Sequence, residues 1–310
     1  QVTVQPLPVT SFAAEFTPEG QVTLSWQPTE DPLEPSATPS GYVVYTRLDD
    51  GGFDNGRRVD APRVTVDQEP GHLYSYRVTA VNGGGESFPS ETLAVCRVAD
   101  ERGRVLIVNG FNRVSGPETV QSDSLAGFRM DLDGGVPDRM DISFIGPQRV
   151  FDRAQARCNV DSIALGACDN DYETDVIGGN TFDYPALHGR SVAAAGYSFC
   201  SASARAVEEG EVSLGDYDAV DLILGKQRTT PIGRGVGDDA FEAFPEALQS
   251  RLRRYLADGG ALFVSGAYVV SDLMYDAMAA ARNEAFAREV LHCRMEGALD
   301  TEVSLPIRCR

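Results

Sequence analysis

The apolar residues of this 310-residue chain change their spacing near residue 100. Before that point they fall in short runs of period two, such as 22–26 (VTLSW) and 74–81 (YSYRVTAV), separated by glycine and proline. This alternation is typical of half-buried strands. Beyond it, continuous apolar runs such as 104–109 alternate with stretches of helical spacing such as 239–257. The chain therefore predicts two domains, at 1–99 and 100–310.

The first domain is predicted to be a β-sandwich, because several short strands follow one another at regular spacing. The predicted strands include 22–26, 42–45, 64–66 and 74–81. The segments LSW (24–26), GYVVY (41–45) and LYSYRVTAVN (73–82) resemble those of fibronectin type III domains. That resemblance implies that Trp26 is a core residue and that Tyr74 is the tyrosine-corner residue. Such domains are usually spacers or platforms, so this one says little about activity.

The second domain is predicted to be α/β, with a three-layer, doubly wound, mostly parallel sheet, because strands alternate with helices. The predicted strands are 104–110, 197–201, 217–225 and 261–266, and the predicted helices are 189–195, 204–209, 239–257 and 269–290. Ligands of such sheets bind beyond the carboxyl ends of the strands. We therefore expect the functional site at those ends.

Two resemblances bear on the second domain. The segment LADGGALFVSG (256–266) resembles the class I glutamine amidotransferase-like fold, in which a helix ending in Gly-Gly leads into the strand that carries the nucleophile. That nucleophile is a cysteine, whereas Ser265 stands here, so glutamine hydrolysis is not expected. The order of the two domains, with segments 109–113, 179–184, 188–189 and 225–227, also resembles secreted bacterial proteins labelled xanthan lyase or cell-wall amidase.

The charge excludes some partners. A net charge of −19 and a pI near 4.5 argue against nucleic acid and anionic membrane surfaces, because phosphate binding needs a basic footprint. No apolar run is long enough to span a bilayer. The chain begins at Gln1 without a hydrophobic leader, which suggests that a signal peptide has been removed. We expect a secreted, periplasmic or cell-surface protein.

The six cysteines are even in number, and the plausible local pairs are Cys158 with Cys168 and Cys293 with Cys309. No CxxC is present, so neither a zinc ribbon nor a thioredoxin-like site is expected.

Candidate site residues are those whose chemistry stands out at predicted strand ends and loops. Lys226 is the only lysine among 27 basic residues, and it follows the buried strand 217–225. Its compact charge suits anion contact. His188 is the candidate general base, and Asp175 or Asp183 would orient it. Ser265 is a candidate nucleophile, and Cys200 with His188 is a second conceivable pair, although Cys200 reads as core or disulfide.

The catalytic candidates are thus His188, Ser265 and Asp183, and the substrate-binding candidates are Asn112, Arg113, Asn180, Lys226, Gln227 and Tyr268. The acidic cluster Asp169, Asp171 and Asp175 could hold calcium. However, Thr174 occupies the position that needs glycine in an EF-hand, so a solvated loop is the stronger interpretation and no cofactor is expected.

These residues favour a secreted hydrolase that acts on polysaccharide or peptidoglycan. Lys226 and Arg113 would contact anionic groups such as uronates or peptide carboxylates. The alternative is a carbohydrate-binding or adhesion scaffold that has lost the amidotransferase nucleophile. A polysaccharide lyase, with Arg113 as charge neutraliser and His188 or Tyr184 as base, is the third hypothesis.

Overall fold

A computed structural model gives the arrangement of the chain. It describes residues 3–31, 34–110, 119–121, 126–128, 148–152, 167–170, 183–225, 227, 230–231, 240–266, 268–275 and 280–294.

Eight strands form the first part of the chain. They are Thr10–Phe16 (β1), Val22–Gln27 (β2), Gly41–Leu48 (β3), Arg57–Val59 (β4), Arg63–Val66 (β5), Leu73–Asn82 (β6), Gly85–Glu86 (β7) and Leu93–Cys96 (β8). All their pairings are antiparallel, in the orders β1-β2-β5 and β4-β3-β6-β8, with β7 added to β6. The four strands named from the sequence are confirmed, and the two antiparallel sets are the layers of a sandwich.

Trp26 lies at the centre of the sandwich core. It is 2% exposed, and its ring packs edge-on against Phe12 and Tyr42, at centroid distances of 6.4 and 5.3 Å. The hydroxyl of Tyr74 accepts a hydrogen bond from the backbone N–H of Glu69, five residues upstream, at 3.2 Å. That contact is the one a tyrosine corner makes. Both roles predicted from the sequence are confirmed.

Among its described residues, the second part contains four parallel strands and five helices. The strands are Arg104–Asn109 (β9), Ser198–Ser203 (β14), Ala219–Gly225 (β15) and Ala261–Gly266 (β18), in the spatial order β14-β9-β15-β18. The helices are Tyr184–Ala194 (α1), Ala204–Glu209 (α2), Glu246–Ala257 (α3), Val269–Tyr275 (α4) and Ala280–Ala285 (α5), followed by a π-helical turn at Phe286–Val290. Short antiparallel pairs join Thr119–Gln121 (β10) to Ala126–Phe128 (β11), Gln148–Asp152 (β12) to Ala167–Asn170 (β13), and Thr230–Pro231 (β16) to Ala240–Phe241 (β17).

Prolines explain where the helix boundaries differ from those predicted. α1 begins five residues earlier than expected, with Pro185 in its first turn. Proline suits that turn, since its missing N–H would have no partner there. α3 begins at Glu246 rather than 239, because Pro245 occupies the position just before the helix. The bounds of α2 and β18 are as predicted.

Helices cover both faces of the parallel strands. Val105 and Ile107 of β9 share a buried cluster with Ala186 of α1. Leu106 and Val108 point to the opposite face and pack with residues of α2 and α3. Alternate side chains of a strand point to opposite faces, so a strand that is apolar at every position is buried between two layers.

The sandwich and the parallel strands share one sheet. The edge of β14 that faces away from β9 pairs with two strands of the sandwich. Phe199 lies opposite Cys96 of β8, and Ala202 lies opposite Ala13 of β1. The hydroxyl of Ser201 also accepts from the N–H of Ala94 at 2.9 Å and donates to its carbonyl at 2.6 Å. The two parts of the chain therefore pack as neighbours without a gap. The predicted boundary at 99/100 falls between β8 and β9.

Two further sequence predictions concern cysteines and membranes. Each of the predicted pairs Cys158–Cys168 and Cys293–Cys309 includes a residue outside the described ranges. Cys200 is a buried thiol in the core, and burial raises its pKa to about 12. Within the described part of the chain, no helix has the length and apolarity needed to cross a membrane.

Candidate active site

α1 lies close against the sheet and carries His188 in its second turn. The close approach depends on Gly189, because a Cβ at that position would fall 2.1 Å from Cζ of Phe199 in β14. Ala186 and Phe199 belong to the same buried cluster beneath the helix. Packing therefore fixes where the backbone of His188 lies relative to the strands.

His188 makes one short contact with the sheet. Its Nδ1 lies 2.7 Å from Oδ2 of Asp221, the third residue of β15. The two side chains are 26% and 10% exposed. Oδ1 of Asp221 is buried, and no described residue makes a hydrogen bond to it. Burial raises the pKa of Asp221, and the hydrogen bond to His188 opposes that rise.

This geometry orients the imidazole ring. When Nδ1–H donates to the Asp221 carboxylate, the neutral ring holds its basic lone pair on Nε2. The carboxylate then stabilises the imidazolium that forms when Nε2 takes a proton. A histidine held in this way can act as a general base and return the proton as a general acid.

The neighbours of Asp221 follow from the strand register. Phe263 of β18 lies directly opposite Asp221, and Ser265 lies opposite Ile223 one pair further along. Asn109 of β9 is the partner of Ile223 on its other side. Register partners in a parallel sheet share a face, so all of these side chains lie on the face that α1 covers in part.

Phe263 is the exposed member of this face. Its side chain is 62% exposed, although it stands beside a largely buried carboxylate. Asn109, by contrast, is buried, and its Oδ1 has no hydrogen-bond partner in the part of the chain that the structure describes. The face therefore offers an exposed aromatic ring beside Asp221.

Asp183 does not orient His188. Its carboxylate oxygens each lie 2.6 Å from Nη2 of Arg47 in β3. Five helical residues turn through about 500°, which leaves Asp183 and His188 roughly 140° apart around the helix. Asp221 takes the role predicted for Asp183 or Asp175, and Asp175 lies outside the described residues.

Cys200 and His188 lie on opposite sides of the sheet. Cys200 packs with Leu106 in the cluster beneath α2 and α3, whereas α1 lies on the other face. The sheet thus separates the two members of that hypothetical pair. Ser265 is on the same face as His188 and is partly exposed, one register pair beyond Phe263.

The substrate-binding candidates have varied positions. Gln227 is buried after the end of β15, where its N–H donates to Leu224 and its Nε2 lies 3.4 Å from the carbonyl oxygen of Glu242. Tyr268 is partly exposed just before α4. The remaining four lie outside the described residues: Asn112, Arg113, Asn180 and Lys226.

The predicted calcium cluster is described only in part. Asp169 lies in β13, and Asp171 and Asp175 are outside the described residues. Among the residues that are described, no group of three histidine, cysteine, aspartate or glutamate side chains is placed to hold a metal ion.

Asp221 is the functional candidate that the sequence reasoning missed. It is the one charged residue in the strand AVDLILG, where its neighbours Val220 and Leu222 are buried. A carboxylate inside an apolar run is costly to bury unless it has a partner, so it signals a site. This signal is visible in the sequence, although the apolar run around Asp221 by itself predicts only a buried core strand.

Comparison with known proteins identifies the first part of the chain. The family profile of the fibronectin type III domain matches residues 7–95. Residues 7–95 are a fibronectin type III domain. No curated protein matches the chain.

Solved structures match over a similar length. A structure described as a myokine is 17% identical, covering 31% of this chain and 100% of its own, with a TM-score of 0.26. The twitchin kinase region from C. elegans is 19% identical, covering 41% of this chain and 26% of its own, with a TM-score of 0.28. The FN5 domain of Drosophila Lar is 19% identical, covering 30% and 98%, with a TM-score of 0.24. None of these similarities bears on the function of His188.

Proposed function

We propose that residues 100–310 form a doubly wound α/β domain of the amidotransferase-like type. Two features support this assignment. The order β14-β9-β15-β18 corresponds to 2-1-3-4 in chain order, which is the order of flavodoxin-like sheets. Helices also pack on both faces of β9. The cysteine chemistry of amidotransferases is not part of the proposal, because Ser265 stands near the end of β18.

The proposed activity is hydrolysis of a polysaccharide or of peptidoglycan. His188 transfers the proton, and Asp221 orients its ring. The observation that carries the proposal is the 2.7 Å contact between Nδ1 of His188 and the buried carboxylate of Asp221. A buried carboxylate is costly to keep in a fold, and here its contact leaves the far nitrogen of the ring for chemistry.

Phe263 supports a glycan as the substrate. An exposed aromatic ring beside a polar site gives a flat apolar surface on which the C–H face of a sugar can pack, while polar groups nearby contact its hydroxyls. The nucleophile is either water activated by His188 or the hydroxyl of Ser265. The two routes differ, because only Ser265 would form a covalent intermediate.

Product release from a panel of acidic polysaccharides and peptidoglycan tests the proposal. Wild type should release reducing ends or peptides, and His188→Ala should lose turnover by about a hundredfold or more. The matched control is His72→Ala, which removes the histidine of a second Nδ1–carboxylate contact, in the fibronectin type III domain. Equal loss in both variants would contradict the proposal, and so would full activity in His188→Ala.

The same panel separates the other functions. A lyase would release an unsaturated sugar, which absorbs ultraviolet light. Its base could also be Tyr184, which lies one helical turn before His188. A protein that binds panel members without any turnover would be the carbohydrate-binding or adhesion scaffold, for which the fibronectin type III domain is the supporting feature. We further propose that the protein is secreted, periplasmic or at the cell surface, and the fibronectin type III domain is again the supporting feature.

A further inference from the structure

The fibronectin type III domain holds α1 at two points. Nη2 of Arg47 in β3 contacts both oxygens of Asp183, the residue that precedes α1. Asp50, just after β3, pairs with Arg190 in the second half of the helix. His188 lies between these two contacts. The helix that carries the candidate base is therefore attached to the neighbouring domain on both sides of that base.

The contact of Asp183 with Arg47 takes the place of a hydrogen bond that would cap the start of α1. An aspartate in this position normally accepts a hydrogen bond from the first N–H groups of the helix. Asp183 makes no such bond. Its carboxylate is engaged by Arg47 instead, so the contact links the helix start to the other domain rather than capping it.

Arg47 is itself fixed in place. Its Nη2 also donates to Oγ of Ser75 at 2.8 Å, and its guanidinium lies 5.1 Å from the ring centroid of Phe53. The side chain is 16% exposed. A guanidinium held by a hydroxyl and an aromatic ring loses little further freedom when it binds a carboxylate.

We propose that Arg47 is a positioning residue for His188, acting through Asp183 and the placement of α1. This inference rests on the proposed role of His188. α1 reaches the sheet through Gly189, so a small rotation of the helix would carry the ring of His188 away from Asp221. The fibronectin type III domain is then part of the active-site framework and not a spacer.

The test compares Arg47→Ala, Arg47→Lys and Asp183→Asn with a control, Arg58→Ala. Arg58 is an exposed arginine of the same domain, and its ion pair with Asp60 is 4.0 Å long. The first readout is the proton NMR signal of the His188 Nδ1–H, which is identifiable because the chain has three histidines. The second readout is kcat and KM on any panel substrate that wild type turns over.

We expect Arg47→Ala and Asp183→Asn to weaken or shift the His188 signal and to lower kcat about tenfold, with KM nearly unchanged, since small misplacements of a catalytic group lower the rate steeply. Arg47→Lys should recover part of the signal, and Arg58→Ala should match wild type. In an Asp221→Asn background, Arg47→Ala should change kcat no further.

An unchanged His188 signal in Arg47→Ala would overturn the inference, as would equal changes in Arg58→Ala. A changed signal in a protein without turnover would uphold the positioning role and overturn the proposed hydrolysis. Loss of turnover with an unchanged signal would overturn the positioning role alone. Circular dichroism of each variant establishes that it is folded.

Discussion

His72 and His188 each place Nδ1 against a carboxylate oxygen, at 2.8 Å from Asp49 in the fibronectin type III domain and at 2.7 Å from Asp221 in the second part of the chain. The surroundings differ. The side chains of His72 and Asp49 are 44% and 47% exposed, whereas Asp221 is almost wholly buried. The hydrogen bond from His72 lowers the pKa of Asp49, while burial raises the pKa of Asp221.

The same contact therefore has opposite consequences for the carboxylate. In water, a histidine partner stabilises a charge that is already well solvated, so the pair adds little to the fold. In the buried site, the charge of Asp221 costs free energy, and His188 offsets part of that cost. Replacing such a buried pair with well-packed apolar residues often leaves the stability of a protein unchanged or raises it, so stability alone does not account for this pair. This difference is why we place the function at His188.

The largest expected difference between the pairs is in turnover. Asp221→Asn should lower kcat about a hundredfold or more, because an asparagine amide can hold the ring in the wrong tautomer and cannot stabilise the imidazolium. Asp49→Asn should leave kcat unchanged. Steady-state kinetics on the best panel substrate measures both. Comparable losses in the two variants would remove the distinction between the pairs.

The next difference is in stability. His188→Ala should lower the free energy of unfolding by about 2–3 kcal/mol at pH 8, because it leaves the Asp221 carboxylate buried without its partner. The loss should shrink at pH 5. Burial raises the pKa of Asp221, so above that pKa its negative charge destabilises the folded state. As the pH falls, protonation of Asp221 removes this destabilisation. Urea unfolding at both pH values measures this. A loss that grew at pH 5 would contradict the account.

The contact between His188 and Asp221 should also depend on how closely α1 packs against the sheet. Gly189→Ala places a methyl group within 2.1 Å of Phe199, so it should destabilise the protein by about 1–3 kcal/mol and lower kcat as well. Gly215→Ala is the control, since the nearest atom to its methyl group would be Oγ of Ser213 at 3.8 Å. A Gly189→Ala variant with wild-type thermal stability would show that the helix can move freely.

The smallest effect should belong to the exposed pair. The contact with Asp49 raises the pKa of His72, so its stabilisation is present below the ordinary histidine pKa and is lost as the pH rises through the raised value. Because the pKa of Asp49 is lowered, the contribution persists in mildly acidic solution. Wild type and His72→Ala should differ slightly in melting temperature near pH 5.5 and not at pH 8.5. A larger difference at pH 8.5 would reverse the assignment.

The bounds of several helices and strands could be predicted from the sequence, but the contacts between residues far apart in the chain could not. α2 and β18 were predicted with their observed bounds, and in the structure Ser203 and Gly210 cap the two ends of α2. Pro185 also marks the start of α1, because proline is favoured in the first turn of a helix. The contacts of Asp183 were beyond prediction, because Arg47 lies 136 residues away in the chain.

His188 was predicted from the sequence as the general base because the near-neutral pKa of histidine suits that role. Its partner depends on which strand lies beneath α1, and that follows from the order β14-β9-β15-β18 and not from local pattern. A general base can be suspected from residue type, but the carboxylate that orients it is set by tertiary packing.

The most direct test of the central claim is the nitrogen NMR spectrum of the three histidines at pH 8. The account predicts that His188 carries its proton on Nδ1, with a strongly downfield N–H signal that disappears in Asp221→Asn, and that Nε2 is unprotonated. His72 should show no such slowly exchanging proton, because its contact with Asp49 is open to water. A His188 ring protonated on Nε2, or one indifferent to Asp221→Asn, would contradict the oriented His188–Asp221 pair on which the proposed function depends.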